Sequence, residues 1–207
     1  MTEEALARAK EAFEIEAREV RRAGEVMDME AFSRAVDALK KAPRIGASGC
    51  GHSGIACRHF AHLMCCIERP ARFISPAEAV HGATGFLQAG DVIVLVSRGG
   101  KTAELLPIAR ISREKGATVI ALTENLDSPL AQLSDIVLPM KVERETDRYN
   151  CQGTSSFTAT NVIFDALQAA LIEETGFQNE RFAVIHPGGA VGERLNSGKP
   201  QAGEEKR

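Results

Sequence analysis

The sequence predicts an α/β protein in which helices cover both faces of a five-stranded parallel sheet, a three-layer sandwich preceded by a helical arm. Three observations carry this. From residue 43 onward, short apolar runs ending in glycine or hydroxyl loops alternate with helical patterns, the signature of strand–helix–strand units. One run, Val92-Ile93-Val94-Leu95-Val96, is apolar throughout, as a central strand buried on both faces requires. Aromatic residues make up only 5% of the chain, with no Trp and one Tyr against 18 Gly. The core must therefore be Ala, Val, Ile and Leu between glycine turns, rather than the filling of a β-sandwich.

The elements follow in order. Residues 3–27 space Leu6, Phe13, Val20 and Met27 seven apart, with Ala9 and Ala23 between them, a narrow apolar stripe on an otherwise charged helix. Asp28 can cap a second helix over 29–41 that buries Phe32, Val36 and Leu39. This pair, residues 1–42, reads as an arm that packs on the domain or on another subunit. Strands are expected at 44–48, 71–75, 91–97, 117–123 and 135–140. Helices are expected at about 54–67, 102–115, 155–175 and, shorter, 188–195. The sheet domain thus runs over 43–195, and the polar tail 196–207 is expected to be disordered.

At 207 residues the chain allows roughly 1.4 domains. Its formal charge of −3 argues against nucleic acid, which calls for a basic field. No stretch nears 18 consecutive apolar residues, so no membrane helix is expected. The acidic N-terminus is unlike an export signal, and five cysteines, two of them adjacent, make a poor disulfide framework. A reducing cytoplasm is the expected compartment.

In such sheets ligands bind beyond the C-terminal ends of the strands. The first strand runs into Gly49-Cys50-Gly51-His52-Ser53-Gly54, which fits G-x-G-x-x-G ahead of a helix. Glu78 lies about where a ribose-binding acid would be sought, so the pattern fits a dinucleotide loop or plain tight-turn glycines alike. The third strand runs into Ser97-Arg98-Gly99-Gly100-Lys101-Thr102, where Leu95 occupies the place of a P-loop's first glycine. What remains is an anion cradle: glycine backbone N–H groups, the Ser97 and Thr102 hydroxyls, the charges of Arg98 and Lys101, and a helix start. A third helix start, Gly153-Thr154-Ser155-Ser156, adds more hydroxyls. Three such starts in one sheet suit a phosphorylated metabolite better than an extended dinucleotide.

Glu104, Glu145, His81 and His186 are the remaining chemical candidates, each ordinary when taken alone. Glu104 falls in the first turn of a helix, Glu145 in a charged run, His81 beside Gly82, and His186 in a His-Pro-Gly-Gly turn. His59 and His62 share a helix face with Cys66, but inside an apolar helix this reads as packing, and no metal is indicated.

From Arg44 to about Leu195 these segments together resemble the sugar isomerase (SIS) domain, and most closely its arabinose-5-phosphate isomerase branch. The glycine loops are common to the superfamily. Pro76-Ala77-Glu78-Ala79-Val80-His81-Gly82 and His186-Pro187-Gly188-Gly189-Ala190-Val191-Gly192 are specific to the branch. The resemblance implies aldose–ketose isomerisation of a sugar phosphate through a cis-enediol, with no cofactor. It also implies dimers or tetramers whose sites are completed across subunits. A family lysine, two glutamates and a histidine fall on His52, Glu104, Glu145 and His186, so the lysine is replaced. The family's second serine in the phosphate loop is Gly99 here, its acid is Lys101, and its pair of cystathionine-β-synthase modules has no counterpart.

Under this reading Glu145 is the base if burial raises its pKa, and Glu104 shuttles or orients protons. His186 opens the ring, and His52 polarises the carbonyl or touches phosphate. Gly51, Ser53, His81, Ser97, Arg98, Gly99, Gly100, Thr102, Thr154 and Ser155 bind substrate. The rivals are a phosphosugar sensor without catalysis and an isomerase of a 6-phosphorylated 3-ketohexose. A transcriptional regulator would need a helix-turn-helix module, for which the first 42 residues leave too little room.

Overall fold

The computed structural model describes residues 1–197. Helix α1 (Glu3–Val26) is started by Thr2, whose side chain accepts the Ala5 N–H, and α2 (Met29–Lys41) by Asp28, which accepts from Glu30 and Ala31. The sheet comprises β1 (Ile45–Gly49), β2 (Ala71–Phe73), β3 (Val92–Val96), β4 (Thr118–Thr123) and β5 (Ile136–Pro139), all parallel, in the order β2-β1-β3-β4-β5. The remaining helices are α3 (Gly51–Cys66), α4 (Pro76–Ala79), α5 (Leu105–Glu114), α6 (Pro129–Gln132), α7 (Ser155–Thr175), α8 (Asn179–Ile185) and α9 (Gly189–Asn196). A 3-10 turn covers Ala83–Phe86.

Strand β3 is central and buried along its whole length. Its side chains alternate between two cores. Val92, Val94 and Val96 pack with α2, α3 and α7, whereas Ile93 and Leu95 pack with Leu105, Ile108 and Leu130 of α5 and α6. Two helix layers thus enclose one sheet, and Phe60 of α3 meets Phe164 of α7 with ring centroids 4.5 Å apart.

The arm departs from the expected stripe. The buried face of α1 is Ile15, Glu19 and Ala23, while Phe13 is 77% exposed and Leu6 is also exposed. The seven-residue stripe lies beside the packed face, so only its C-terminal end, at Met27, reaches the core. Other boundaries shift as well. Helix α3 begins at Gly51 rather than 54, and α5 at Leu105 rather than 102, because Thr102–Glu104 form a turn. The short α4, α6 and α8 escape periodicity because none exceeds two turns. Asn196 belongs to α9, not to the tail, and donates to the Ala183 and Gly192 carbonyls. The rest of the expected disordered tail, from residue 198, lies outside the described residues. Among those described, no helix is long and apolar enough to cross a membrane.

Candidate active site

The C-terminal ends of β1 and β2 open onto a cavity of about 380 Å³ lined in part by Gly49, Cys50, Gly51, Arg58, Phe73 and Glu104. Its floor is made by glycine. A Cβ on Gly49 would lie 2.8 Å from the Ser53 carbonyl carbon, and one on Gly54 would lie 2.6 Å from the Gly49 oxygen, so strand and helix touch backbone to backbone. This is tight-turn packing, one of the two readings that G-x-G-x-x-G allows. Glu104 is the residue preceding α5, and its side chain makes no capping bond. It lines the cavity, with its charge close enough to act on Cys50. Burial raises the pKa of the Cys50 thiol above its ordinary value, and the neighbouring Glu104 charge raises it further.

Beside this cleft, the Ser97 and Thr102 hydroxyls lie 2.8 Å apart and the Gly100 N–H donates to Ser97 Oγ at 3.1 Å. Gly100 is left-handed (φ 65°), and a Cβ there would collide with Ser128. Gly99 is the opposite case: a Cβ there would meet nothing within 4 Å. Lys101 is exposed and makes no ion pair among the described residues.

Arg98 differs from the expectation. Its Nε donates to Glu124 Oε2 at 2.7 Å, its Nη1 to Glu145 Oε1 at 2.7 Å, and its Nη2 to the Val142 carbonyl at 3.0 Å. The guanidinium is thus a clamp between β3, β4 and the segment after β5, not a free phosphate ligand. Glu145 is fully buried and holds four donors. Besides Arg98 it accepts from the Thr154 N–H (2.9 Å), Thr154 Oγ1 (3.0 Å) and the Ser156 N–H (3.2 Å). Burial alone would raise its pKa, but the bonds from Ser156 and Thr154 outweigh that and hold it below the ordinary glutamate value. The raised pKa that the base role asks for is therefore absent at Glu145. Thr154 is engaged by Glu145 and by the Thr146 N–H, whereas Ser155 is fully buried with its hydroxyl unpartnered.

The histidines scatter. His52 stands in the first turn of α3 but outside the residues lining the Glu104 cleft. It leans on Gly153 and on Phe157, whose ring centroid is 6.0 Å away, and shares a gap of about 20 Å³ with Ser53, Arg98 and Ser156. His81 is exposed on the turn after α4 and does not line the cleft. His186 ends α8 with its Nδ1 buried and unpartnered, packed on Phe182. That hairpin of α8 and α9 is tied to the body where Arg181 pairs with Glu68, just beyond the C-terminal end of α3. The cleft lies toward the other end of this 16-residue helix, and His186 is not among the residues that line it.

Sequence reasoning missed Arg58 and Phe73. The guanidinium carbon of Arg58 lies 3.9 Å from the centroid of the Phe73 ring, a close cation–π stack, and has no ion-pair partner among the described residues. Its spacing gave a signal, because Gly51, Gly54 and Arg58 recur at helical intervals and so share a face. Elsewhere, His59 pairs with Asp165 at 3.7 Å and Cys66 Sγ lies 3.6 Å from His62 Nε2. Among the described residues no three His, Cys, Asp or Glu side chains gather as a metal site.

Comparisons with known proteins bear on this arrangement. The SIS domain family model matches residues 38–170. Arabinose 5-phosphate isomerase KdsD of Pseudomonas aeruginosa is 40% identical over 152 residues, which cover 73% of this chain and 47% of that protein. The chain thus spans about half the length of the curated relatives it matches. Among solved structures, a Listeria monocytogenes protein provisionally named a sugar-phosphate isomerase superposes with a TM-score of 0.88 at 39% identity. The match covers 91% of this chain and all of that one. An Escherichia coli CFT073 protein solved in complex with A5P gives a TM-score of 0.82 at 27% identity, covering 90% and 100%.

Proposed function

Since the chain belongs to the SIS domain family, we propose that it isomerises a small sugar phosphate between aldose and ketose through a cis-enediol, with arabinose 5-phosphate and ribulose 5-phosphate the first pair to test. The observation that carries this reading is Glu104, an uncapped carboxylate joining the glycine floor of the cleft to the Ser97–Thr102 cradle. The cradle takes the phosphate through its hydroxyls and backbone, with Lys101 as an exposed cation beside it and Arg98 in reserve behind it. Arg58 faces the sugar.

The sequence ranks Glu145 first as base; the four donors on its carboxylate favour the reverse order. Glu104 removes the proton from C2 of the aldose. The electron pair becomes the C1–C2 double bond as O1 gains a proton. Returning a proton to C1, with loss of the proton on O2, yields the ketose. Glu145, ionised and held by Arg98, keeps a fixed negative charge behind the phosphate loop and takes part in proton transfer only by giving up one of its four bonds. His52 stands for the family lysine, and His186 opens the ring. No cofactor enters the proposal.

His186 then serves the cleft of a neighbouring copy, in a homodimer or homotetramer. The exposed Leu6 and Phe13 of α1 supply apolar surface for such a contact, as does an apolar groove of about 350 Å³ between α1, α2 and α7. Light scattering showing a monomer at micromolar concentration would count against assembly. The five cysteines, all free, suit a reducing cytoplasm.

The decisive experiment incubates the protein with arabinose 5-phosphate in deuterated water. Deuterium at C1 of the ribulose 5-phosphate formed is the expected result. Binding without exchange would favour the second reading, a phosphosugar sensor, which the loss of the family lysine at His52 supports. A parallel screen of pentose and hexose phosphates covers the 3-ketohexose alternative.

A further inference from the structure

The N-terminal helix does something the sequence does not ask of it. Glu19 sits on its buried face, one turn from Ile15 and one from Ala23, where an apolar residue is expected, yet it is only 1% exposed. Taking a carboxylate out of water is costly unless it holds something. Glu19 Oε2 accepts the backbone N–H of Glu143 at 2.9 Å, across 124 residues of sequence. Its cationic neighbours stand farther off, Arg22 Nε at 3.5 Å and Arg18 Nε at 3.7 Å, and Oε1 has no hydrogen-bond partner among the described residues. The bond to the loop is thus its one good hydrogen bond.

The same helix reaches the same loop twice more. Arg22 Nη1 pairs with the Glu143 carboxylate at 2.8 Å, and Glu11 pairs with Arg144 at 3.3 Å. From the opposite side Arg98 holds the Val142 carbonyl. Three consecutive residues, Val142 to Arg144, are therefore pinned between α1 and the phosphate loop, and the next residue is Glu145.

We propose that Glu19 is a positioning residue for isomerisation: through the Glu143 N–H it fixes the segment that presents Glu145, making the arm part of the catalytic apparatus. This rests on the function proposed above. A misplacement of about 1 Å can cost a hundredfold in rate, so the effect belongs in turnover rather than in substrate binding.

The test compares Glu19→Ala and Glu19→Gln with the wild type on arabinose 5-phosphate. Glu19→Ala should lower kcat by about 10- to 100-fold with KM within about twofold. Glu19→Gln, which keeps an oxygen acceptor for the Glu143 N–H, should restore most of the lost kcat. Amide exchange over residues 142–146 should quicken in Glu19→Ala and return in Glu19→Gln. A folded Glu19→Ala protein with full kcat, or a glutamine variant as poor as alanine, would overturn the assignment. If Glu19→Ala does not fold, Glu19→Met, which fills the volume but offers the Glu143 N–H no oxygen acceptor, takes its place. A several-fold fall in kcat at constant KM then supports the proposal, and unchanged kcat refutes it. A wild type inert toward every sugar phosphate would sink the functional reading and this assignment together; an active wild type indifferent to Glu19 would sink this assignment alone.

Discussion

Glu104 and Glu145 look interchangeable on paper, two glutamates beyond parallel strands, yet they occupy opposite kinds of place. Glu104 stands uncapped on the wall of an open cleft. Glu145 is sealed under Arg98 and the first turn of α7, with four donors on two oxygens. A carboxylate that holds four donors is a structural anchor first and a base second, whereas one that holds none is available to a ligand. The comparison teaches that charge near a phosphate loop does not identify a ligand-binding group until its other bonds have been counted.

The largest expected effect tests that contrast directly. Glu104→Gln should lower isomerase turnover by about two to four orders of magnitude with little change in the melting temperature. Glu145→Gln should lower both turnover and stability, and a variant as stable as wild type would erase the distinction. Next in size, Arg98→Met strands Glu145 without its cation. Because Arg98 is 39% exposed, the loss should be about 2 kcal/mol by chemical denaturation, below the range for a fully buried pair.

The pH dependence sharpens the same point. The Glu145 carboxyl is held below its ordinary value, so the folded protein binds this proton less readily than the unfolded chain. Its stabilisation is complete above the unfolded value and fades as pH falls through the folded one. The stability gap between wild type and Glu145→Gln should thus be full at pH 7 and close progressively below about pH 4. The smallest effect is expected at Gly99, where a side chain meets open space. Gly99→Ser should change stability by less than about 0.5 kcal/mol. If the cradle holds phosphate, the added hydroxyl should lower KM a few-fold; an unchanged KM would argue against Gly99 facing the phosphate.

Much of this molecule is legible in its sequence. The five strands and the central place of Val92–Val96 follow from local pattern, because a fully buried strand announces itself by unbroken apolarity. Glu104 and the hydroxyl cradle are legible for the same reason: they lie within eight residues of one strand end. The Arg98–Glu145 bond spans 47 residues and depends on how the loop after β5 folds back, which no periodicity records. Phe13 and Leu6 mislead because a seven-residue repeat names a stripe but not its neighbour. His186 is legible as a motif and illegible as a position, since its hairpin hangs from the end of α3 remote from the cleft.

The backbone contact between Gly49 and Gly54 has a consequence for how this site can change. No side chain fits at either residue without parting strand from helix. The bottom of the cleft is therefore closed to evolutionary tinkering, and so is its depth. If the cleft is the active site, new preferences fall to the rim, at Arg58 and the residues around Glu104, which lie outside the strands. A library randomised at those rim positions samples specificity; one randomised at the two glycines samples only unfolding.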